Sequence, residues 1–333
     1  MTRNAIPILL TVTTLYIASV EAQGPPRRSD GRPDLAGIWQ VNVGPGYGAN
    51  VAADLAPEEI LPWADTLYRR RMSALGSDDP WTVECLPLGP RSITGGAGGQ
   101  RVRIVQTPEL IVMLYEDLAY RSIHLDNPPL PKNPNPSFMG YPVGRWEGDT
   151  LVVDSVGFNE RTWLDFGGHP HTEALHLTER YRRTALGSME LRVTFDDPGA
   201  YRRSWTVPVT VSLARDSDLL EYVCTEDVTH RHSLGGRTPE QSRITIPAGT
   251  LADYAGTYFV PSTERLGFTR LQIRHNGDDL YLDVDGHGNV LMVPLSVTAF
   301  SARLIDLEFR RNAAGAVTSA MLLRNGVVLM KER

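Results

Sequence analysis

Turn signals that recur at the spacing of short β-strands constrain the fold of this chain more than any other feature. Between them lie short runs rich in Val, Leu, Thr and Tyr, several of which alternate apolar and polar residues. A period of two is typical of strands that bury one face. The clearest turns are Gly148-Asp149, Leu186-Gly187-Ser188, Asp196-Asp197-Pro198-Gly199, Asn276-Gly277, Asp285 to Asn289, Asn312 to Gly315 and Asn325-Gly326. The pattern predicts a mainly β protein made of antiparallel barrels or sandwiches.

The individual strands of the larger part of the chain follow from the same pattern. They are predicted at 101–106, 110–116, 120–125, 175–183, 190–195, 204–213 and 219–224, with a hairpin over 145–154 that turns at Gly148-Asp149. Residues 127–136 are too rich in proline for regular structure and predict a loop.

One helix is predicted in the N-terminal region, between Pro57 and Leu75. Proline and glutamate suit its first turn, and Arg69 to Arg71 suit its last turn because they complement the helix dipole. Its apolar side would be a packing face made of Ile60, Trp63, Ala64, Leu67 and Met72.

Composition divides the chain into four segments. Residues 1–22 combine a cation at Arg3 with an apolar run and small residues up to Ala22, which is typical of a signal peptide. Residues 23–34 predict a flexible leader. Residues 35–245 predict a β-barrel or sandwich domain that carries the candidate site, and a boundary near Ile246 precedes a small antiparallel domain over 246–333. Export predicts a periplasmic or secreted location, and no later run is apolar enough for a transmembrane span.

Charge and known motifs exclude several functions. The net charge of −6 is mild, and basic residues are scattered, so nucleic acid is not expected as a partner. The glycines from Gly95 to Gly99 lack the Lys-Ser/Thr of a phosphate-binding loop, and no Gly-x-Ser-x-Gly nucleophile elbow occurs. The expected partner is a small-molecule substrate or ligand.

Cys85 and Cys224 are the only cysteines. In an exported protein they favour a disulfide, and a catalytic thiol is the alternative. A disulfide across so long a loop would stabilise the fold by about 4 kcal/mol in the chain-entropy model.

The segment from Gly167 to Glu173 is the best candidate for a chemical site. In an extended chain, His169, His171 and Glu173 share one face. Two imidazoles and a carboxylate can bind a divalent metal such as Zn, Fe or Mn and leave positions open for substrate or water. The cofactor is otherwise unknown.

A metal-free centre is the alternative for the same residues. His171 would act as a general base oriented by Glu173 or Asp165, while Arg145 or Arg121 would stabilise developing negative charge. The ordinary structural roles are a turn or cap for Asp165 and a surface ion pair for each arginine. His230 and His232 follow Cys224 closely and are candidates to join this centre.

Three functions therefore remain open. The first is an exported enzyme, a hydrolase or a lyase, that acts on a small organic molecule through His171 and Glu173. The second is a binding protein for an apolar or aromatic ligand, because barrels hold such ligands at their mouths. Its cavity would be lined by Trp39, Trp146, Trp163 and Trp205. The third is an accessory subunit of a surface complex.

Several phrases of residues 35–232 resemble a group of exported bacterial β-proteins that are mostly uncharacterised. They include Gly144-Arg-Trp-Glu-Gly-Asp-Thr-Leu-Val-Val-Asp154, Pro170-His-Thr-Glu173, Glu179-Arg-Tyr181 and Glu221-Tyr-Val-Cys224. Asp34 to Trp39 and Asp253 to Tyr258 resemble the first strand of lipocalin-like (calycin-like) barrels. The tail from Tyr254 is similar to the lipocalin-like module appended to secreted β-lactamase-type hydrolases. These resemblances imply a fold and an exported location, and they imply no activity.

Overall fold

The computed structural model describes residues 24–95, 99–126, 129–224, 244–264 and 266–332. In these ranges the chain forms two closed β-barrels, one after the other along the sequence. The mainly β fold is thereby confirmed, and both sheets close into barrels rather than packing as sandwiches.

The first barrel has nine strands in the described ranges, arranged in sequence order and closed by pairing of its first strand with its last. The strands are Gly37–Asn42 (β1), Gln100–Gln106 (β2), Leu110–Tyr115 (β3), Tyr120–His124 (β4), Tyr141–Glu147 (β5), Thr150–Val156 (β6), His176–Ala185 (β7), Ser188–Asp196 (β8) and Trp205–Leu213 (β9). The predicted hairpin over 145–154 is present as β5 and β6.

Alternating burial explains why these segments are strands. Along β8 and β9 nearly every second side chain is buried, so each strand supplies one face to the barrel core. Pro208 lies within β9 and has no N–H group to donate. Because β1 pairs with β9 only over residues 210–213, the Pro208 position has no partner on that side, and no hydrogen bond to β1 is lost there.

The contact between β4 and β5 is the weakest seam of the first barrel. These two strands run parallel and share a single bridge, between His124 and Val143. All other neighbouring strands of this barrel pair in antiparallel ladders of several residues.

The second barrel has eight strands in the described ranges and is closed in the same way. It begins with a helix, Ala248–Tyr254, which we call α5. The strands are Gly256–Phe259 (β10), Arg270–Asn276 (β11), Asp279–Val284 (β12), His287–Pro294 (β13), Ala299–Ser301 (β14), Asp306–Arg311 (β15), Val317–Leu322 (β16) and Val328–Lys331 (β17).

The repeated Gly-x-aromatic phrase falls on the first strand of each barrel, and both first strands share a set of contacts that the phrase did not predict. The indole N–H of Trp39 donates to the carbonyl of Leu35 at 2.9 Å, and the hydroxyl of Tyr258 donates to the carbonyl of Tyr254 at 2.7 Å. A cation covers each ring, namely Arg183 over Trp39 and a lysine over Tyr258. Each buried aromatic side chain thus fixes the chain segment that enters its barrel.

The connection from β1 to β2 carries the helices of the first barrel. They are Gly44–Ala49 (α1), Pro62–Ser73 (α2), Pro80–Glu84 (α3) and Pro90–Thr94 (α4). The predicted helix over 57–75 corresponds to α2 and is shorter, because Pro62 holds Leu61 in an extended conformation. Its buried face consists of Ala64, Tyr68 and Met72, whereas Trp63 is 43% exposed. The short helices α1, α3 and α4 were not predicted.

The prediction of a strand over 219–224 is wrong. Residues 214–223, which we call the strap, are irregular and follow β9 across the outside of the barrel end. Because β9 already pairs with β1, the edge of β9 is occupied where the following segment could have paired. The strap instead binds the β3–β4 turn, where Tyr222 N donates to the carbonyl of Glu116 at 3.0 Å.

The two barrels are joined by polar contacts as well as by packing. Arg69 on α2 pairs with Asp279 at 2.9 Å, and Asn50 donates to the carbonyl of Asn289 at 3.1 Å. Tyr68 and Met72 of α2 pack into the apolar core of the second barrel. The boundary predicted near Ile246 falls between the two barrels, and as a domain boundary it stays a prediction.

The N-terminal segments remain predictions. Residues 1–22 lie outside the described residues. Within the predicted leader, Arg27 forms an ion pair with Asp149 at 2.6 Å.

Candidate functional site

One end of the first barrel is covered by α3, α4, the β3–β4 turn and the strap, and they enclose a cavity of about 340 Å³ that we call the mouth pocket. Both helices begin with a proline at their first turn, which sets their start points. The pocket is lined mainly by apolar and aromatic side chains around a few polar ones. Its lining residues are Trp81, Leu88, Arg91, Gly95, Gly99, Gln100, Glu116, Asp117, Phe166, Leu220, Glu221 and Tyr222.

Arg91 is the central polar residue of the mouth pocket. Its Nη1 and Nη2 donate to the two carboxylate oxygens of Asp79 at 2.7 and 2.8 Å, and the arginine is only 1% exposed. The guanidinium also lies 5.0 Å from the ring centre of Phe166 and 5.8 Å from that of Trp163. Its Nε is buried and has no hydrogen-bond partner in the part of the chain that the structure describes. The arginine is therefore neutralised in charge but keeps one unused donor.

Gln100, the first residue of β2, supplies the complementary group. Its Oε1 atom is buried and likewise has no hydrogen-bond partner among the described residues. An unpaired buried acceptor costs the full desolvation of that group, typically about 1 to 3 kcal/mol. Because Arg91 and Gln100 both line the pocket, side chains with an unused donor and an unused acceptor border it, which suits a ligand with polar atoms of both kinds.

The carboxylates at the rim are already engaged by the protein. Glu116 accepts from Arg101 at 3.1 Å and from the backbone N of Leu220 at 3.2 Å, which fastens the strap. Asp117 accepts from the hydroxyl of Ser92 at 2.7 Å. These two side chains therefore hold the walls together.

A disulfide fixes the far end of the strap. Cys85, just after α3, is bonded to Cys224, with Cα atoms 5.6 Å apart, so the predicted disulfide is confirmed. Beside it, the rings of Trp81 and Tyr222 stack with centres 5.3 Å apart. The cross-link thus holds the two aromatic walls of the mouth pocket against each other.

Asp165 organises the loop between β6 and β7 that carries Phe166. Its carboxylate accepts from the backbone N of Gly168 at 2.8 Å and of Val51 at 2.7 Å. The Nδ1 of His169 donates to Asp165 at 2.6 Å, and the imidazole stacks on Tyr68 with ring centres 3.8 Å apart. Asp165 serves as a cap, and its partner is His169 rather than His171.

His171 is also buried, with 2% exposure. Its Nδ1 donates to the carbonyl of Thr172 at 3.2 Å, and its Nε2 accepts from the hydroxyl of Thr162 at 2.8 Å. Burial lowers the pKa of His171 to about 4. The imidazole is therefore neutral near pH 7, and both of its nitrogens are occupied.

The expectation of one shared face for His169, His171 and Glu173 is wrong. Residues 169–172 are irregular, and Glu173 lies exposed in the following turn while both histidines are buried. In the described ranges, no three His, Cys, Asp or Glu side chains are grouped so that they could hold a metal ion. The structure does not assemble the predicted ligand set.

Arg145 lies away from this loop, exposed on β5, where it pairs with Glu147 and Asp154. Its position matches the ordinary role of a surface ion pair. His230 and His232 lie outside the described residues.

The four predicted cavity tryptophans serve mainly in packing. Trp39 and Trp205 belong to the core of the first barrel, and Trp205 stacks on Phe195 with ring centres 5.1 Å apart. Trp163 is buried between Arg71 and Arg91. Trp146 packs against the core from outside and is absent from the lining of the mouth pocket, as are the other three. The aromatic wall that sequence reasoning missed is Trp81, Phe166 and Tyr222, which only long-range folding brings together.

A second, larger space lies along the β4–β5 seam. This groove of about 770 Å³ is bordered by exposed apolar side chains such as Leu118 and Tyr120. Arg121 is its one fully buried lining residue in the described ranges, and it points into a network inside the barrel. There Arg121 donates to both carboxylate oxygens of Glu179 at 2.6 and 2.8 Å and to Ser155 at 2.8 Å.

The second barrel contacts the wall of the mouth pocket through Arg303. This residue, in the turn between β14 and β15, donates from Nε to the carbonyl of Phe166 at 2.7 Å and also bonds the carbonyl of Leu75. Gly76 has a φ of 78°, a left-handed conformation that favours glycine, and a side chain there would also meet the guanidinium of Arg303. The second barrel therefore helps to hold Phe166 in place.

Comparisons with known proteins add little to this geometry. No family model and no curated protein matches the chain. A solved structure of a variant of the fluorescent protein UnaG is similar at 12% identity over 55% of this chain and 97% of that chain, with a TM-score of 0.26. A score this low carries no argument. The resemblance to exported β-proteins stays a prediction.

No helix of the described ranges is both long enough and apolar enough to cross a membrane.

Proposed function

We propose that this protein binds a small, uncharged aromatic molecule in the mouth pocket of its first barrel. The observation that carries the proposal is the pairing of an aromatic wall with two buried, unpaired polar atoms, Arg91 Nε and Gln100 Oε1. Ligand sites of proteins are typically apolar clefts in which a few polar groups fix orientation.

The charges around the mouth pocket favour an uncharged ligand. Arg91 is already neutralised by Asp79, so a ligand anion would gain no free cation there. Glu116 is paired with Arg101, but Asp117 and Glu221 line the same pocket without a cationic partner in the described ranges and would repel an anion. A ring with a hydroxyl, amide or amine group satisfies Gln100 without placing a net charge in a poorly solvated site.

The size of the pocket restricts the ligand further. A volume of about 340 Å³ lies at the lower end of the range of small-molecule sites, which is about 300 to 1,000 Å³. One or two aromatic rings with short substituents are the expected class.

The enzymatic hypothesis receives less support from the geometry. A general base needs a free nitrogen in reach of substrate and a group that orients it. His171 is buried with both nitrogens bonded, and Glu173 is exposed. Hydrolysis or elimination at His171 stays a prediction. The proposed binding of a ligand in the mouth pocket does not depend on it.

A disulfide supports the predicted periplasmic or secreted location. Disulfides persist mainly in oxidising compartments. The Cys85–Cys224 bond therefore agrees with export, which we include in the proposal.

The proposal is tested by titration with two matched fluorescent probes. N-phenyl-1-naphthylamine is uncharged, and 8-anilinonaphthalene-1-sulfonate carries a sulfonate on the same ring skeleton. We expect the uncharged probe to bind with a probe emission that saturates at one molecule per chain. The sulfonate should bind at least tenfold more weakly, because it meets the acidic rim.

Two tyrosine variants locate the binding. Tyr222→Ala removes one aromatic wall and should weaken binding of the uncharged probe about tenfold, since an aromatic contact and its buried area are worth about 1.4 kcal/mol or more. Tyr120→Ala is the matched control, because Tyr120 is 67% exposed and borders the seam groove instead. Loss of binding in Tyr120→Ala but not in Tyr222→Ala would contradict the proposal.

A further inference from the structure

A separate cavity of about 370 Å³ lies where the two barrels meet, and we call it the junction cavity. From the first barrel it is lined by Asn42, at the end of β1, and by the start of α1. From the second barrel it is lined by Asp306, at the start of β15, and by Arg324, just after β16. The rest of the lining includes the apolar side chains of Leu266, Phe268 and Leu304.

Asp306 lines the junction cavity and carries an unsatisfied acceptor. Its Oδ1 atom is buried and has no hydrogen-bond partner among the residues that the structure describes. A buried carboxylate oxygen without a donor is costly, so the site favours a ligand that brings a donor, above all an ammonium group.

Arg324 places the opposite charge at the rim of the same cavity. It makes no hydrogen bond or ion pair with any residue of the described ranges. Leu323 N donates to the carbonyl of Asp306 at 2.9 Å, so Leu323 lies opposite Asp306. Arg324 follows Leu323 in the sequence. Asp306 and Arg324 both line the junction cavity, so one ligand can contact both side chains.

We propose that the junction cavity binds an α-amino acid with an apolar side chain. The ammonium lies at Asp306, the carboxylate lies at Arg324, and the side chain packs on Leu266, Phe268 and Leu304. A zwitterion satisfies both charges at once, whereas a simple anion or cation leaves one of them unmatched. Because residues of both barrels line the cavity, the bound amino acid also links the two barrels.

Isothermal titration calorimetry of the full chain with three related compounds tests this site. Leucine carries both charges, 4-methylpentanoate lacks the ammonium, and 3-methylbutylamine lacks the carboxylate. We expect leucine to bind and each of the other two to bind at least tenfold more weakly. Equal binding of leucine and either analogue, or no binding of leucine, would overturn the proposal.

Variants separate the site from unspecific effects. Asp306→Asn keeps the size of the side chain and should weaken leucine binding at least tenfold, with an unchanged circular dichroism spectrum. Asp278→Asn is the matched control, because Asp278 is exposed in the β11–β12 turn and does not line the junction cavity. Unchanged leucine binding in Asp306→Asn would show that Asp306 is not the ammonium partner. Neither result depends on the mouth pocket.

Discussion

Replacing Glu179 by glutamine should destabilise the first barrel strongly. The side chains of Glu179 and Arg121 are both 0% exposed. Glu179 accepts two hydrogen bonds from Arg121 and a third from the hydroxyl of Tyr181 at 2.7 Å. Although burial acts to lower the pKa of Arg121, the adjacent carboxylate raises it well above its usual range, so Arg121 stays charged.

The expected size of the effect follows from the charge that is left behind. Glu179→Gln leaves a buried guanidinium without its counter-ion, and breaking a buried ion pair in this way typically costs about 3 to 5 kcal/mol. The double variant Arg121→Met/Glu179→Leu removes both charges and should be less destabilised than the single variant, since similar apolar replacements are often tolerated.

Tryptophan fluorescence during urea unfolding measures this effect selectively. All six tryptophans lie between Trp39 and Trp205, so their emission reports the first barrel and not the second. Glu147→Gln is the control and should change stability little, because Glu147 belongs to an exposed ion pair. A loss below about 1 kcal/mol for Glu179→Gln, or a double variant as unstable as the single one, would refute the interpretation that the two buried charges neutralise each other.

Three further perturbations have defined outcomes. Because burial lowers the folded-state pKa of His171 from 6.5 to about 4, the unfolded chain binds the extra proton, and about 3 kcal/mol of stability should be lost as pH falls from 6.5 to 4. In urea unfolding, His171→Gln should lack this part of the pH dependence. Reduction of the Cys85–Cys224 bond should release the strap and weaken binding of N-phenyl-1-naphthylamine, measured by titration in dithiothreitol. Arg303→Met should weaken the same binding several-fold while both barrels stay folded by circular dichroism, because Phe166 loses its anchor. Unchanged behaviour in any of the three would contradict the role given to that group.

Local signals explain how much of the fold the sequence predicts. Alternating residues and turn dipeptides act within a few residues of each other, so the hairpin turning at Gly148-Asp149 and most strands were placed correctly. The repeated Gly-x-aromatic phrase located the first strand of each barrel. The strand predicted over 219–224 failed because closure of the barrel by β1 and β9 is a long-range event that no local pattern contains.

The candidate site depended on such long-range contacts throughout. The prediction that His169, His171 and Glu173 share one face required an extended segment. Instead, Asp165 caps this loop and hydrogen-bonds His169, whose ring stacks on Tyr68. The mouth pocket combines segments that are far apart in sequence, and its unpaired atoms appear only when their neighbours are in place. The two cysteines were the one sequence feature that indicated contact between the strap and the segment after α3, two walls of the mouth pocket.

A crystal structure of the protein with N-phenyl-1-naphthylamine tests the central proposal most directly. We expect the probe to lie in the mouth pocket against the stacked rings of Trp81 and Tyr222, with its amine within hydrogen-bond distance of Gln100 Oε1. A probe bound in the β4–β5 seam groove with an empty mouth pocket would contradict the proposed function.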